Sequence, residues 1–113
     1  MSTRYCLLLD LKDDATAISE YDRYHREVWP EIQQSIRDAG IRNMQIYRSH
    51  NRLFMIMETA PGFSFDAKGK ADAANPKVQQ WEKLMENYQQ RLPWAGAGEK
   101  WILMEKVFEL DKG

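Results

Sequence analysis

The sequence contains a single cysteine, Cys6, so no disulfide can form within the chain. With only two histidines beside that thiol, a zinc site is not readily built. There is no GxGxxG, no phosphate loop, no CxxC and no HExxH, so no resident cofactor is expected. No apolar run approaches the roughly 20 residues of a membrane span, which excludes a membrane partner. Neither sign of charge dominates: 16 basic residues stand against 17 acidic ones, mixed along the chain, for a net charge of −1. Without a basic stripe, nucleic acid is excluded as a partner. The short apolar stretch after Arg4 has no small-residue cleavage site behind it, so no signal peptide is expected and the compartment reads as cytoplasmic.

What is present is enough for a packed globule. The 113 residues are 43% hydrophobic and 12% aromatic, which fits one domain over 1–113 and excludes a disordered chain. Arg4 to Leu11 is short, apolar and closed by charge, and reads as a strand. In that strand Cys6 reads as a buried core thiol. Asp13 and Asp14 offer a helix N-cap. From Ala15 to Ala39, Ile18, Tyr21, Tyr24 or His25, Val28, Ile32 and Ile36 recur at helical steps. Pro30 either kinks that helix or ends it near Trp29 and opens a new one, and Gly40 stops it.

Ile41 to Arg48 and Arg52 to Thr59 form a hairpin about the polar turn Ser49-His50-Asn51, with His50 solvated. Phe65 to Ala74 fits a short helix. Asn75 and Pro76 open the next, whose stripe Val78, Trp81, Leu84, Met85, Tyr88 and Leu92 runs until Pro93. Trp101 to Leu110 alternates as a last strand. The order is that of the split βαβ, ferredoxin-like arrangement (βαββαβ): α+β, with helices on one face of an antiparallel sheet. The other face also carries apolar residues, and a second copy of the chain is its simplest cover. A homodimer with facing sheets follows.

Chemistry must then come from side chains alone. Tyr21 and His25 lie four apart and share a helix face with Ile18, Val28 and Ile32. A phenol and an imidazole in an apolar surround suit proton transfer near neutral pH. The plainer alternative is a core histidine that only hydrogen-bonds. Trp81 offers an indole wall for the apolar face of a sugar ring, against the alternative of core packing.

The chain resembles the L-rhamnose mutarotase family, from Arg4 to Leu110. The resemblance rests chiefly on Tyr21-x-x-x-His25-x-x-x-Trp29-Pro30-Glu31. It continues through Gly40, Ile46-Tyr47, Leu53-Phe54-x-x-x-Glu58 and Trp81-x-x-x-Met85. It implies a dimeric α+β barrel acting as an isomerase on a small sugar, without a cofactor. It also implies that His25 is the proton donor and that Tyr21 and Trp81 contact the sugar. At two further sugar-contact positions the chain departs from the family. Met44 stands where a tyrosine is expected, and Glu82 replaces the second of two adjacent tryptophans. These changes weigh against rhamnose. The chain resembles more closely the L-fucose mutarotase branch, partly through Phe63-Ser64-Phe65 and the arm from Trp94 to Trp101.

Mutarotation opens a hemiacetal, lets C1–C2 rotate and closes the ring again. One proton goes to the ring oxygen and another leaves the anomeric hydroxyl. The partner of His25 is open among Tyr21, Glu82, Asp10, Glu105 and water. Two other classes fit the same architecture. One is a cofactor-free monooxygenase or haem-degrading barrel, and the other a non-catalytic ligand-binding dimer.

Overall fold

The computed structural model describes residues 2–111. The apolar alternation near the N-terminus forms β1 (Thr3–Leu11), which buries Leu7, Leu9 and Leu11. Asp14 caps the following helix, α1 (Ala15–His25), its Oδ2 accepting from the Ala17 amide at 2.9 Å. The apolar period continues past His25, but α1 does not. The chain turns through Arg26 to Trp29, and Pro30 opens a second helix, α2 (Pro30–Asp38). Proline explains the break. It has no N–H to give the carbonyl of Arg26, and it pushes Trp29 into an extended conformation, ψ 135°. Of the two expected outcomes the restart is found, with α1 ending well before Trp29. Gly40, at φ +93°, turns the chain out of α2, a conformation that suits glycine.

The hairpin forms as expected from β2 (Ile41–Ser49) and β3 (Arg52–Thr59). His50 in its turn is exposed and bonds Asp13 through Nε2 at 2.7 Å. α3 (Phe65–Ala73) begins at a Ser64 cap, and α4 (Pro76–Glu86) at Asn75, whose Oδ1 accepts from the amides of Lys77 and Val78.

Two expectations at the C-terminal end need correction. The stripe to Leu92 is not all helix. α4 stops at Glu86, and Gln89–Gln90 forms a short strand, β4, against Asp10 and Leu11. Tyr88 and Leu92 stay buried, so the apolar spacing marks the core although the backbone has changed form. The edge of β1 holds that backbone, since the Lys12 amide donates to the Tyr88 carbonyl at 2.8 Å. The last strand, read over Trp101 to Leu110, shrinks to β5 (Ile102–Leu103) beside Leu7 and Leu8. A strand persists only while a neighbouring backbone takes its hydrogen bonds. The last of these joins the Met104 amide to the Cys6 carbonyl. Beyond it Val107, Phe108 and Leu110 are 91%, 75% and 89% exposed.

The sheet order is β2-β3-β1-β4, with β5 on the same edge of β1 as β4 and every pair antiparallel. Each crossover carries two helices, α1 with α2 and α3 with α4, so the architecture is the expected α+β ferredoxin-like one. The helices cover the face bearing Leu7, Leu11, Leu53, Met55 and Met57. The opposite face carries Cys6, Leu8, Phe54, Ile56 and Tyr47, none of which joins either core cluster. Cys6 is therefore half-buried on the open face, not a core thiol. Among the described residues, no helix is long and apolar enough to cross a membrane.

The Asn75 cap fixes the start of the helix that carries Trp81. Asn75→Ala removes both cap bonds and is expected to cost about 1 kcal/mol in urea unfolding. An unchanged midpoint would show that the cap contributes nothing.

Candidate active site

The site is built on the break between α1 and α2. Because α1 ends at His25, that imidazole sits in its last turn, one turn beyond Tyr21. The two rings stack, with centroids 4.0 Å apart and planes 25° from parallel. His25 Nδ1 lies 2.9 Å from the Tyr21 backbone carbonyl. A carbonyl oxygen only accepts, so Nδ1 carries the hydrogen and donates it. This fixes the tautomer, and Nε2 is bonded to no protein group among the described residues. Trp81 meets the imidazole edge-on at 5.5 Å. Trp29 in turn packs against Trp81 at 5.1 Å, while Glu31 pairs with Lys77 of α4 at 3.8 Å. The Trp29-Pro30-Glu31 segment thus ties the α1–α2 break to α4.

The surroundings set the proton affinities. Partial burial lowers the His25 pKa below the ordinary 6.5, although the bond to Tyr21 and the nearby Asp22 carboxylate oppose this. The imidazole therefore rests neutral near pH 7. Burial first, and the charge of Asp22 second, push the Tyr21 phenol well above its ordinary value. Tyr21 keeps its proton near neutral pH and is suited to donate a hydrogen bond rather than to act as a base. Arg48 on β2 pairs with Asp22 through Nε at 2.9 Å.

These groups open on a cavity of about 660 Å³ between the helices and the covered face of the sheet. That volume lies within the range of small-molecule sites. Tyr21, His25, Met44, Trp81 and Glu82 all line it, so the structure brings these five to one place. Glu82 is half-buried there rather than pointing freely into water. Asp10 and Glu105 do not line the cavity. Asp10 is held by Arg52 through Nε at 2.8 Å, and Glu105 is exposed beyond β5. Among the described residues no group of histidine, cysteine and carboxylate side chains is placed to hold a metal ion.

Among the lining residues that sequence reasoning did not assign to the site are Gln89, Lys100 and Trp101. Gln89 was hidden inside a helical stripe, and the other two lay at the end of a loop. Only the pairing of β4 and β5 with β1 carries them to the cavity.

Fold and site together define a ferredoxin-like α+β protein with a helix histidine at an aromatic-walled cavity. The model of the L-rhamnose mutarotase family matches residues 4–110, and the chain belongs to that family. It is 43% identical over 111 residues to the L-fucose mutarotase of Xanthomonas campestris pv. campestris, covering 96% of this chain and 89% of that protein. Against the L-rhamnose mutarotase of Escherichia coli O1:K1 / APEC the identity is 30% over 84 residues, 73% of this chain and 75% of that one. The fold resembles that of the L-rhamnose mutarotase of Formosa agariphila, with a TM-score of 0.70 at 22% identity over 96% of this chain and 99% of that one. It also resembles the tetracenomycin F2 cyclase of Streptomyces glaucescens, with a TM-score of 0.57 at 14% identity over 98% of this chain and 99% of that one.

The lowered His25 pKa has a consequence for stability. Between its folded value and 6.5, the unfolded chain binds more protons than the folded one, so stability rises with pH across that window. The benefit is complete above 6.5 and is lost as pH falls toward the folded value. His25→Gln should flatten this part of the profile. Urea unfolding at several pH values spanning the window measures it, and an equal slope in both proteins would contradict the assignment.

Proposed function

We propose that this protein is a mutarotase that interconverts the α and β anomers of a free 6-deoxyhexose, with L-fucose as its preferred sugar and L-rhamnose as the alternative. The observation that carries this reading is the His25 ring. One nitrogen is committed to the Tyr21 carbonyl and the other is free, in a cavity of sugar size walled by the Trp81 indole. A neutral imidazole of that tautomer begins as an acceptor, so His25 takes the donor role that the resemblance implies only after it has gained a proton. Nε2 takes the proton of the anomeric hydroxyl, and the O–H electron pair becomes the C1 carbonyl as the bond from C1 to the ring oxygen breaks. The ring oxygen keeps that bond's electron pair and gains a proton from a second group. After rotation about C1–C2 the ring closes on the other face of the carbonyl. His25, now protonated, returns its proton to the anomeric oxygen, while the ring oxygen gives up the other. Tyr21 holds its hydrogen too firmly for the second role, and Glu82 serves as a carboxylate acceptor of sugar hydroxyls, which leaves water.

The choice of sugar follows from Met44 and Glu82. Methionine supplies apolar volume where a phenol would supply a hydroxyl partner. A half-buried carboxylate accepts bonds from two sugar hydroxyls, and it penalises a sugar whose hydroxyls point elsewhere. The likeness to the Xanthomonas campestris protein supports the same choice.

The working unit in this reading is a cytoplasmic homodimer. The apolar residues of the open sheet face and of the arm beyond Met104 are the support, since a second copy buries both. A stable monomer at micromolar concentration in sedimentation would count decisively against the dimer.

His25→Gln is expected to stay folded and to lose about a hundredfold or more of anomer exchange. Magnetisation-transfer NMR between the anomeric protons reads this directly, and near wild-type exchange would assign the proton transfer elsewhere. The same measurement on both sugars tests specificity. L-fucose should exchange faster than L-rhamnose in the wild type, and Glu82→Gln and Met44→Tyr should narrow the gap. Equal rates, or a preference for L-rhamnose, would overturn the fucose assignment alone.

A further inference from the structure

Gln89 is half-buried, and its Oε1 is the one buried side-chain polar atom among the described residues that has no hydrogen-bond partner. That oxygen is shielded from water. Its backbone is held firmly, because Gln89 pairs with Leu11 where β4 meets β1. Its side chain lines the 660 Å³ cavity that Tyr21, His25 and Trp81 also line. Gln89 and Lys100 also line an adjoining recess of about 240 Å³, shared with Glu86 and Arg91. Polar as well as apolar side chains line the cavity, and Gln89 stands where the two spaces join.

An acceptor kept from water without a donor is a cost that a folded protein rarely leaves uncompensated. An oxygen that water does not reach is not met by a ligand where it stands, so the carboxamide must turn its oxygen toward the cavity, where a ligand brings the donor. A carboxamide offers an acceptor and two donor hydrogens, and a half-turn of its terminal torsion exchanges their places. That matches a neighbouring pair of ring hydroxyls, each of which both gives and takes a hydrogen bond. We propose that Gln89 is a sugar-binding residue that pairs with a ring hydroxyl and helps to set which sugar is accepted. The inference rests on the mutarotase reading and extends it, because neither Met44 nor Glu82 accounts for the unpaired oxygen.

Because Gln89 meets hydroxyls that do not react, its bond is present equally before and during ring opening. Its loss weakens binding and leaves the chemical step alone. The test uses the full-length protein and its Gln89→Met variant, which keeps length and removes the amide. Sugar binding is measured by calorimetry and anomer exchange by NMR over a range of sugar concentrations. The sugar is L-fucose, or whichever hexose the wild type exchanges fastest. Gln89→Met should raise Kd and KM about tenfold, with kcat changed by less than about twofold. Among analogues each lacking one ring hydroxyl, one should lose about as much affinity for the wild type and lose nothing further for Gln89→Met.

Unchanged Kd and KM in the variant would overturn the proposal. So would a lowered melting temperature with unchanged binding, which would make Gln89 a structural residue. Equal further losses for every analogue would overturn it as well. If Gln89→Met does not fold, Gln89→Asn withdraws the same group by one methylene and should also raise KM. A wild type that binds sugar without exchanging anomers would sink the mutarotase reading while leaving Gln89 to be judged on Kd. A wild type that binds no sugar would sink both.

Discussion

The hydrogen bond from His25 Nδ1 to the Tyr21 carbonyl is the constraint on which the candidate site depends. It lies within one turn of one helix, so its geometry is set by α1 itself. It commits one ring nitrogen, leaves the other to the cavity and holds the imidazole flat against the Tyr21 ring. Helix, tautomer and stacking would be of little use if α1 continued, because the next turn would bury the imidazole along the helix flank. Pro30 prevents that. The chain must leave the helix before it, and the residues so released bring Trp29 to the indole of Trp81.

The second organising feature is the one-sided covering of the sheet. Four helices share one face, and the cavity is the space between them and that face which the side chains do not fill. Its floor comes from the covered sheet face, chiefly β2 and β3, and its walls from all four helices, while the short strands β4 and β5 lie along the edge of β1. The site therefore stands on rigid elements rather than on loops, which suits a reaction that needs a proton-transfer group held in a fixed place. The same burial that makes the walls holds His25 neutral and Tyr21 protonated, so packing and acidity have one cause here.

Much of this was legible in the sequence for a local reason. Helical spacing put Tyr21 and His25 on one face, Asp14 and Asn75 announced the helix starts, and strict alternation separated Leu53, Met55 and Met57 from Phe54 and Ile56. These features depend on residues a few positions apart, and the structure reproduces them. The misreadings share another origin. The stripe through Tyr88 and Leu92 kept its apolar spacing while its backbone left the helix to pair with β1, and Cys6 had apolar neighbours yet lies on the open face.

By itself the sequence determined most of the order of strands and helices, most of the faces they bury, and the pairing of a phenol with an imidazole. Periodicity and caps act over one or two turns of chain, and they need no partner to be read. The tertiary structure alone decided that α1 ends at His25 with one nitrogen free, and that Met44, Trp81 and Glu82 meet it across one cavity. It alone decided that Gln89 and Lys100 reach the same space. Those meetings are between residues far apart in the chain. They are settled by which backbone edge is left to accept hydrogen bonds and by which sheet face the helices cover, and no local pattern of residue types records either.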